Sequence, residues 1–197
     1  MTQRINHMLM VFGMITDISA APKLDACFTI SYGNPKAPIH IVEYFSFGCV
    51  PCIEMFANEF EGILEKYITP GLVYWVFQPH PVDLITVQAM VCLEALADQQ
   101  KRVFLEAVLL EHNQSPEFGL LKLMLAAMDV LTIRIPDVTD GSVLQSTPAF
   151  KAAFSYQQAN PTFTGTPTIS INGTIVDEFP TRSLIDDLIQ NEQGTPR

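Results

Sequence analysis

The apolar run Ile39-His40-Ile41-Val42-Glu43-Tyr44-Phe45 is followed, after three intervening residues, by Cys49-Val50-Pro51-Cys52. The run is rich in β-branched and aromatic residues and follows the turn-forming stretch Gly33-Asn34-Pro35-Lys36-Ala37-Pro38, which together predict a buried strand. From Cys52 onward Phe56, Phe60, Ile63, Leu64 and Tyr67 recur at helical spacing, with Glu54, Asn58, Glu59 and Glu61 between them, until Thr69-Pro70-Gly71 ends the pattern. Leu72-Val73-Tyr74-Trp75-Val76-Phe77 is a second buried-strand candidate. Two such strands joined by one helix form a βαβ unit with a right-handed crossover, and the cysteine pair sits at its first strand-to-helix junction.

From Asp83 to about Asn160 the pattern becomes helical. Ile85, Ala89, Cys92, Leu93 and Leu96 form one stripe, Phe104, Ala107 and Val108 a second, and Phe118, Leu121, Leu125 and Met128 a third. Thr147-Pro148 reads as an N-cap with proline in the first turn of a fourth helix bearing Phe150 and Phe154. The chain then returns to β: Thr168-Ile169-Ser170-Ile171 and Thr174-Ile175-Val176 flank the hairpin signal Asn172-Gly173. A last helix from about Thr181 to Gln190 places Leu184, Ile185 and Leu188 on one face. The expected architecture is α/β, a central mixed sheet flanked by helices with an all-helical subdomain inserted midway.

Composition narrows the function classes. A chain of 197 residues supports one sizeable core, and 48% hydrophobic against 16% charged residues excludes a disordered chain. With 11 basic and 21 acidic residues the formal charge is −10, which argues against nucleic acid or an anionic lipid surface as a partner. Four cysteines are too few for a disulfide scaffold. At the N-terminus, Arg4, the apolar stretch MLMVFGMI and Ile18-Ser19-Ala20-Ala21 follow the order of a secretory signal over residues 1–20, although Gly13 and Asp17 interrupt it. An N-terminal helix or strand packed on the domain is the alternative. The apolar run is too short to span a bilayer, for which about 20 residues are needed.

The pair's placement determines its chemistry. In the first turn of a helix, Cys49 faces unpaired backbone N–H groups and the positive end of the macrodipole, both of which stabilise the reactive thiolate. Gly48 leaves that sulfur accessible, while Cys52, one turn later, is screened and able to resolve a mixed disulfide. A zinc site would need two further ligands in similar spacing, and the other cysteines and all four histidines are isolated in the sequence, so no metal and no cofactor are expected. A purely structural disulfide would close a negligible loop. Glu43, inside the apolar strand, is a candidate buried acid with a raised pKa that moves a proton to or from Cys52; a solvent-facing carboxylate at the strand end is the alternative. Pro167, in Gly165-Thr166-Pro167-Thr168, opens the hairpin, where a cis bond would suit a tight turn.

GNPKAP, IHIVEYFSFGCVPC, the long helical block and GTPTISING, in this order, resemble the thioredoxin-fold disulfide oxidoreductases of the DsbA type over about residues 28–190. The resemblance implies a thioredoxin-like core in two parts, 21–82 and 161–197, split by a helical subdomain over 83–160. It implies that Cys49 attacks, that Cys52 resolves and that Glu43 is the buried acid. It also implies that the loop holding Thr166 and a cis Pro167 faces the pair and supports substrate peptide, together with Val50 and Pro51. Where many strong oxidases of this type carry histidine between the cysteines, Val50-Pro51 supplies no charge and one fewer N–H, so a weaker oxidant is expected.

The implied substrates are cysteine-containing, incompletely folded exported proteins, in a periplasmic or other extracytoplasmic compartment. A membrane redox partner would reoxidise the pair and would be recognised through apolar grooves rather than a basic patch. Residues 21–32 leave no room for the dimerisation domain of the related isomerases, so a monomer is expected. The rival readings are a cytosolic relative of the glutathione transferase kappa or chromene-carboxylate isomerase group, against which Cys52 argues, and a non-catalytic binding module or chaperone on the same fold. Cys27 and Cys92 read as packed thiols, with a disulfide between them as the alternative.

Overall fold

The computed structural model describes residues 23–160, 163 and 165–194. The signal-like segment 1–20 lies outside them. A single helical turn at Ala26–Phe28 leads into β1 (Ile30–Tyr32), β2 (Ile39–Phe45), α1 (Val50–Ile63) and β3 (Val73–Pro79). Five helices follow: α2 (Leu84–Glu94), α3 (Asp98–Gln114), α4 (Leu120–Val130), α5 (Gly141–Ser146) and α6 (Pro148–Ala159). The chain closes with β4 (Thr168–Ile171), β5 (Thr174–Val176) and α7 (Arg182–Gly194).

The five strands form one mixed sheet in the order β1-β3-β2-β4-β5. β2 runs parallel to β3, as the βαβ reading requires, and antiparallel to β4, while β4 and β5 are antiparallel, as the Asn172-Gly173 turn requires. Asn172 and Gly173 both adopt positive φ, 50° and 87°, the backbone that a tight two-residue hairpin demands. The main core lies between the sheet and α1, where Phe45, Phe56, Phe60, Trp75 and Phe77 pack ring on edge. The α2 to α6 block has a second, smaller core around Phe28, Met90, Val91, Leu144 and Ala153. Thr147 caps α6, accepting from the Phe150 N–H at 3.1 Å.

Two local expectations need correction, and one strand, β1, had no counterpart in the sequence pattern. β1 is only three residues long, too short for an alternation to stand out, and is held by its antiparallel pairing with β3. In α3, Ala107 is exposed and the buried face is Lys101, Phe104, Leu105, Val108 and Leu109. Phe118 lies ahead of α4 and is exposed, as is Leu125 within it, and the packed stripe is Leu120, Leu123, Met124, Ala127 and Met128. That helix is apolar on nearly every side, so two phases were open and packing against α3 selects between them.

Candidate active site

β2 is the central strand, flanked by β3 and β4, and carries the chain to the foot of α1. There Cys49 is the N-cap residue of the helix, its sulfur accepting from the Cys52 N–H at 3.4 Å. Pro51 in the first turn carries no N–H, so it offers the Cys49 sulfur no donor. The two sulfurs stand 2.6 Å apart and unbonded. Cys49 is half-buried, whereas Cys52 is sealed beneath it at 1% exposure.

The environments of the two thiols drive their acidities apart. The Cys52 thiol, as hydrogen-bond donor, is the largest influence holding Cys49 down, to about 6, against its partial burial. The Thr166 side chain and the Cys52 N–H add to that lowering, and the Asp83 carboxylate opposes it. Cys52 is pushed far above the ordinary thiol range by burial, by its bond to Cys49 and by the nearby Glu43. At neutral pH this pair is one thiolate and one thiol, the arrangement that thiol-disulfide exchange uses.

Glu43 lies under the pair. It is fully buried, and neither carboxyl oxygen has a hydrogen-bond partner among the described residues. Burial pushes it up to about 8, an effect that the Trp75 indole eases and the Cys49 charge reinforces. The solvent-facing alternative for this side chain is thereby excluded.

The Thr166-Pro167 peptide is cis, and the Thr166 carbonyl oxygen accepts from the Cys49 thiol at 3.4 Å. Thr166 and Pro167 thus lie against the pair, as do Val50 and Pro51, exposed between the two cysteines. Phe163 packs edge-on against Tyr44 and the buried His80, with ring centroids at 4.8 and 4.9 Å. Beside α1 a shallow cleft of about 250 Å³ is lined by Pro51, Met55, Phe179 and Pro180 among others. Val50, next to Cys49, and Phe179, on the cleft, are exposed apolar side chains at 60% and 58%, and Glu54, Glu59 and Arg182 line the rest of the cleft.

A polar tether, not visible in the sequence, fixes the loop that carries the pair. Ser46 donates to the Asp83 carboxylate and accepts from the Gly48 N–H at 3.1 Å, while Thr86 accepts from the Phe47 N–H at 2.9 Å. Asp83 is also the N-cap of α2, accepting from the Thr86 N–H at 2.7 Å, so the first helix of the insert grips the redox loop directly. Gly48 leaves room for this tether, since a Cβ on it would come within 2.9 Å of an Asp83 carboxylate oxygen. Asp83 before an apolar run carries an N-cap signal, but only the folded chain brings it to Gly48.

Among the described residues no group of three or more His, Cys, Asp or Glu is gathered as a metal site. Cys27 and Cys92 are free, the first half-buried and the second buried in the main core.

The thioredoxin family profile matches residues 27–191. The chain belongs to this family. No curated protein matches it in sequence. Among solved structures it is similar to alpha-DsbA1 of Wolbachia pipientis, 21% identical with a TM-score of 0.68 over 87% of this chain and 94% of that one. It is also similar to a protein-disulfide isomerase from Novosphingobium aromaticivorans, 16% identical with a TM-score of 0.65 over 85% and 98% of the two chains. The thiol-disulfide oxidoreductase MdbA of Actinomyces oris is 16% identical, with a TM-score of 0.59 over 84% and 88%. The fold is therefore thioredoxin-like in the DsbA arrangement, with the helical insertion between β3 and β4.

Proposed function

We propose that this thioredoxin-family chain is a thiol-disulfide oxidoreductase acting on cysteine-containing, incompletely folded proteins outside the cytoplasm. The observation that carries the reading is the asymmetry of the pair: a half-exposed Cys49 held at about 6 at a helix N-terminus, touching a sealed Cys52 whose proton is tightly held.

In the oxidising direction a substrate thiolate attacks the Cys49 sulfur of the disulfide form. The Cys49–Cys52 bond breaks, its electron pair stays on Cys52, and Cys52 is protonated by Glu43, which at neutral pH carries its proton. A second substrate thiolate then attacks the substrate sulfur of the mixed disulfide and expels Cys49 as a thiolate. Two electrons pass from the substrate dithiol to the pair. Thr166 and Pro167 support the substrate backbone beside the pair, and Val50, Pro51 and the cleft with Phe179 receive its apolar side chains. A membrane-held redox partner would return the pair to the disulfide by the reverse exchange. The DsbA-type arrangement of its structural neighbours supports this assignment.

The decisive experiment is oxidation of a reduced model peptide by the wild type and by Cys49→Ser. Loss of exchange in the variant is expected. Undiminished oxidation by Cys49→Ser would overturn the reading in favour of a non-catalytic binding role.

A further inference from the structure

β2 and β3 are in parallel register, Ile41 against Trp75 and Glu43 against Phe77. Side chains alternate along a strand, so Trp75 and Glu43 project from the same sheet face, one pair apart on adjacent strands, toward α1. Both are completely buried. Both are also incomplete: the indole Nε1 and both carboxyl oxygens lack a hydrogen-bond partner among the described residues. A buried indole N–H without an acceptor and a buried carboxyl without a donor are each costly, and each is what the other lacks. No hydrogen bond joins them in this geometry, yet the indole N–H is near enough to Glu43 to favour its charged form. The titratable groups facing Glu43 are Cys49 and Cys52 on α1; its strand neighbours Phe77 and Ile169 are apolar.

We propose that Trp75 is the positioning residue for Glu43, its indole N–H taking up the carboxylate charge created when Glu43 gives its proton to Cys52. The inference rests on the redox reading of the pair and adds to it the group that makes proton transfer reversible. A lysine in this place would hold the carboxylate permanently ionised and leave it no proton to give. A neutral N–H supports the ion without imposing it, so Glu43 serves as acid when the disulfide opens and as base when Cys52 must attack again. The proton passes from the Glu43 carboxyl to the Cys52 sulfur in one direction and returns in the other; the indole keeps its own proton throughout.

Trp75 is the single tryptophan of the sequence, so the emission of the protein belongs to it alone. The test is a pH titration of that emission in the full chain with Cys49 and Cys52 joined, so that neither can titrate. Cys27 and Cys92 do not interfere, being pushed up to about 11 and about 12 by burial. The expected result is an emission transition well above the usual carboxylate range in the wild type that disappears in Glu43→Gln. In Trp75→Phe, the pH limb for reoxidation of the reduced pair should move upward by about one pH unit, the worth of one hydrogen bond to a charged group.

Identical emission profiles in wild type and Glu43→Gln would overturn the proposal even if Trp75→Phe failed to fold. If those profiles coincide while glutathione exchange still depends on Cys49, only the role of Trp75 falls. If exchange survives in Cys49→Ser, the redox reading falls whatever the emission does.

Discussion

Cys27 and Cys49 are both half-buried, yet their acidities lie on opposite sides of an ordinary thiol: Cys27 is pushed up to about 11 and Cys49 is held down to about 6. Burial raises both, so exposure is not what separates them. Cys27 has Asp25 as its hydrogen-bond partner and Glu94 nearby, each disfavouring a negative sulfur. Cys49 caps a helix and is met by donors: the Cys52 thiol, the Thr166 side chain and a backbone N–H. Reactivity in this molecule is set by which kind of group surrounds the sulfur, and one sequence carries both outcomes within 22 residues of each other.

The largest effect that would break this contrast is on turnover. Cys49→Ser should lower disulfide exchange with a reduced peptide by roughly a thousandfold or more. Cys27→Ser and Cys92→Ala should leave it within about twofold, since neither thiol is placed to exchange. A comparable loss in Cys27→Ser would dissolve the distinction.

The next effect concerns the buried acid on the redox side. Glu43 is raised from an ordinary carboxyl to about 8, so below the ordinary carboxylate range the folded and unfolded chains both hold its proton and burial costs nothing extra. As pH rises from about 4.5 to about 8 the unfolded chain ionises and the folded one does not, so the folded state steadily loses stability across that window. Glu43→Gln removes the loss and should stabilise the protein at pH 8, relative to its effect at pH 4, by as much as ~4 kcal/mol. Urea unfolding of the reduced protein at the two pH values measures this directly. An equal effect of the substitution at both would show that Glu43 ionises as freely in the folded chain as in the unfolded one.

Alkylation with iodoacetamide compares the thiols themselves. At pH 7 Cys49 is mostly thiolate while about one Cys27 in 10⁴ is, but the more basic thiolate is the better nucleophile, which returns roughly two decades. Cys49 should therefore react on the order of a hundredfold faster, with a rate half-maximal near pH 6, read by peptide mass mapping.

Much of this was legible in the sequence, for physical reasons that can be named. The strand before Cys49, the helix after it and the Asn172-Gly173 hairpin announce themselves because period, composition and turn chemistry are local properties. Glu43 stood out because a carboxylate inside an apolar strand is costly wherever it ends up. Trp75 did not: an aromatic residue in a buried strand looks like core until the register against β2 puts it on the same sheet face as Glu43. The tether through Ser46, Asp83 and Thr86 was equally hidden, because it joins residues 37 to 40 positions apart across the start of the insert.

Asp83 gives the smallest and most discriminating prediction. It is the acidic group that opposes the Cys49 thiolate, so it does at the redox pair what Asp25 does at Cys27, but more weakly. Asn is as good an N-cap as Asp and would still accept from the Thr86 N–H, so Asp83→Asn removes the charge while keeping α2 capped. At a partly solvated separation of several ångströms a unit charge is worth roughly 0.5–1 kcal/mol, or two- to fivefold in an equilibrium. Losing it favours the thiolate, lowers the pKa of Cys49 below about 6 and stabilises the reduced pair, so the disulfide becomes a stronger oxidant. Equilibration with glutathione should shift toward reduced enzyme by that factor, with the 240 nm thiolate absorbance titrating at lower pH. An opposite shift would mean that Asp83 acts mainly through its bond to Ser46, holding the loop in the conformation that presents donors to Cys49, and that the tether outweighs the charge.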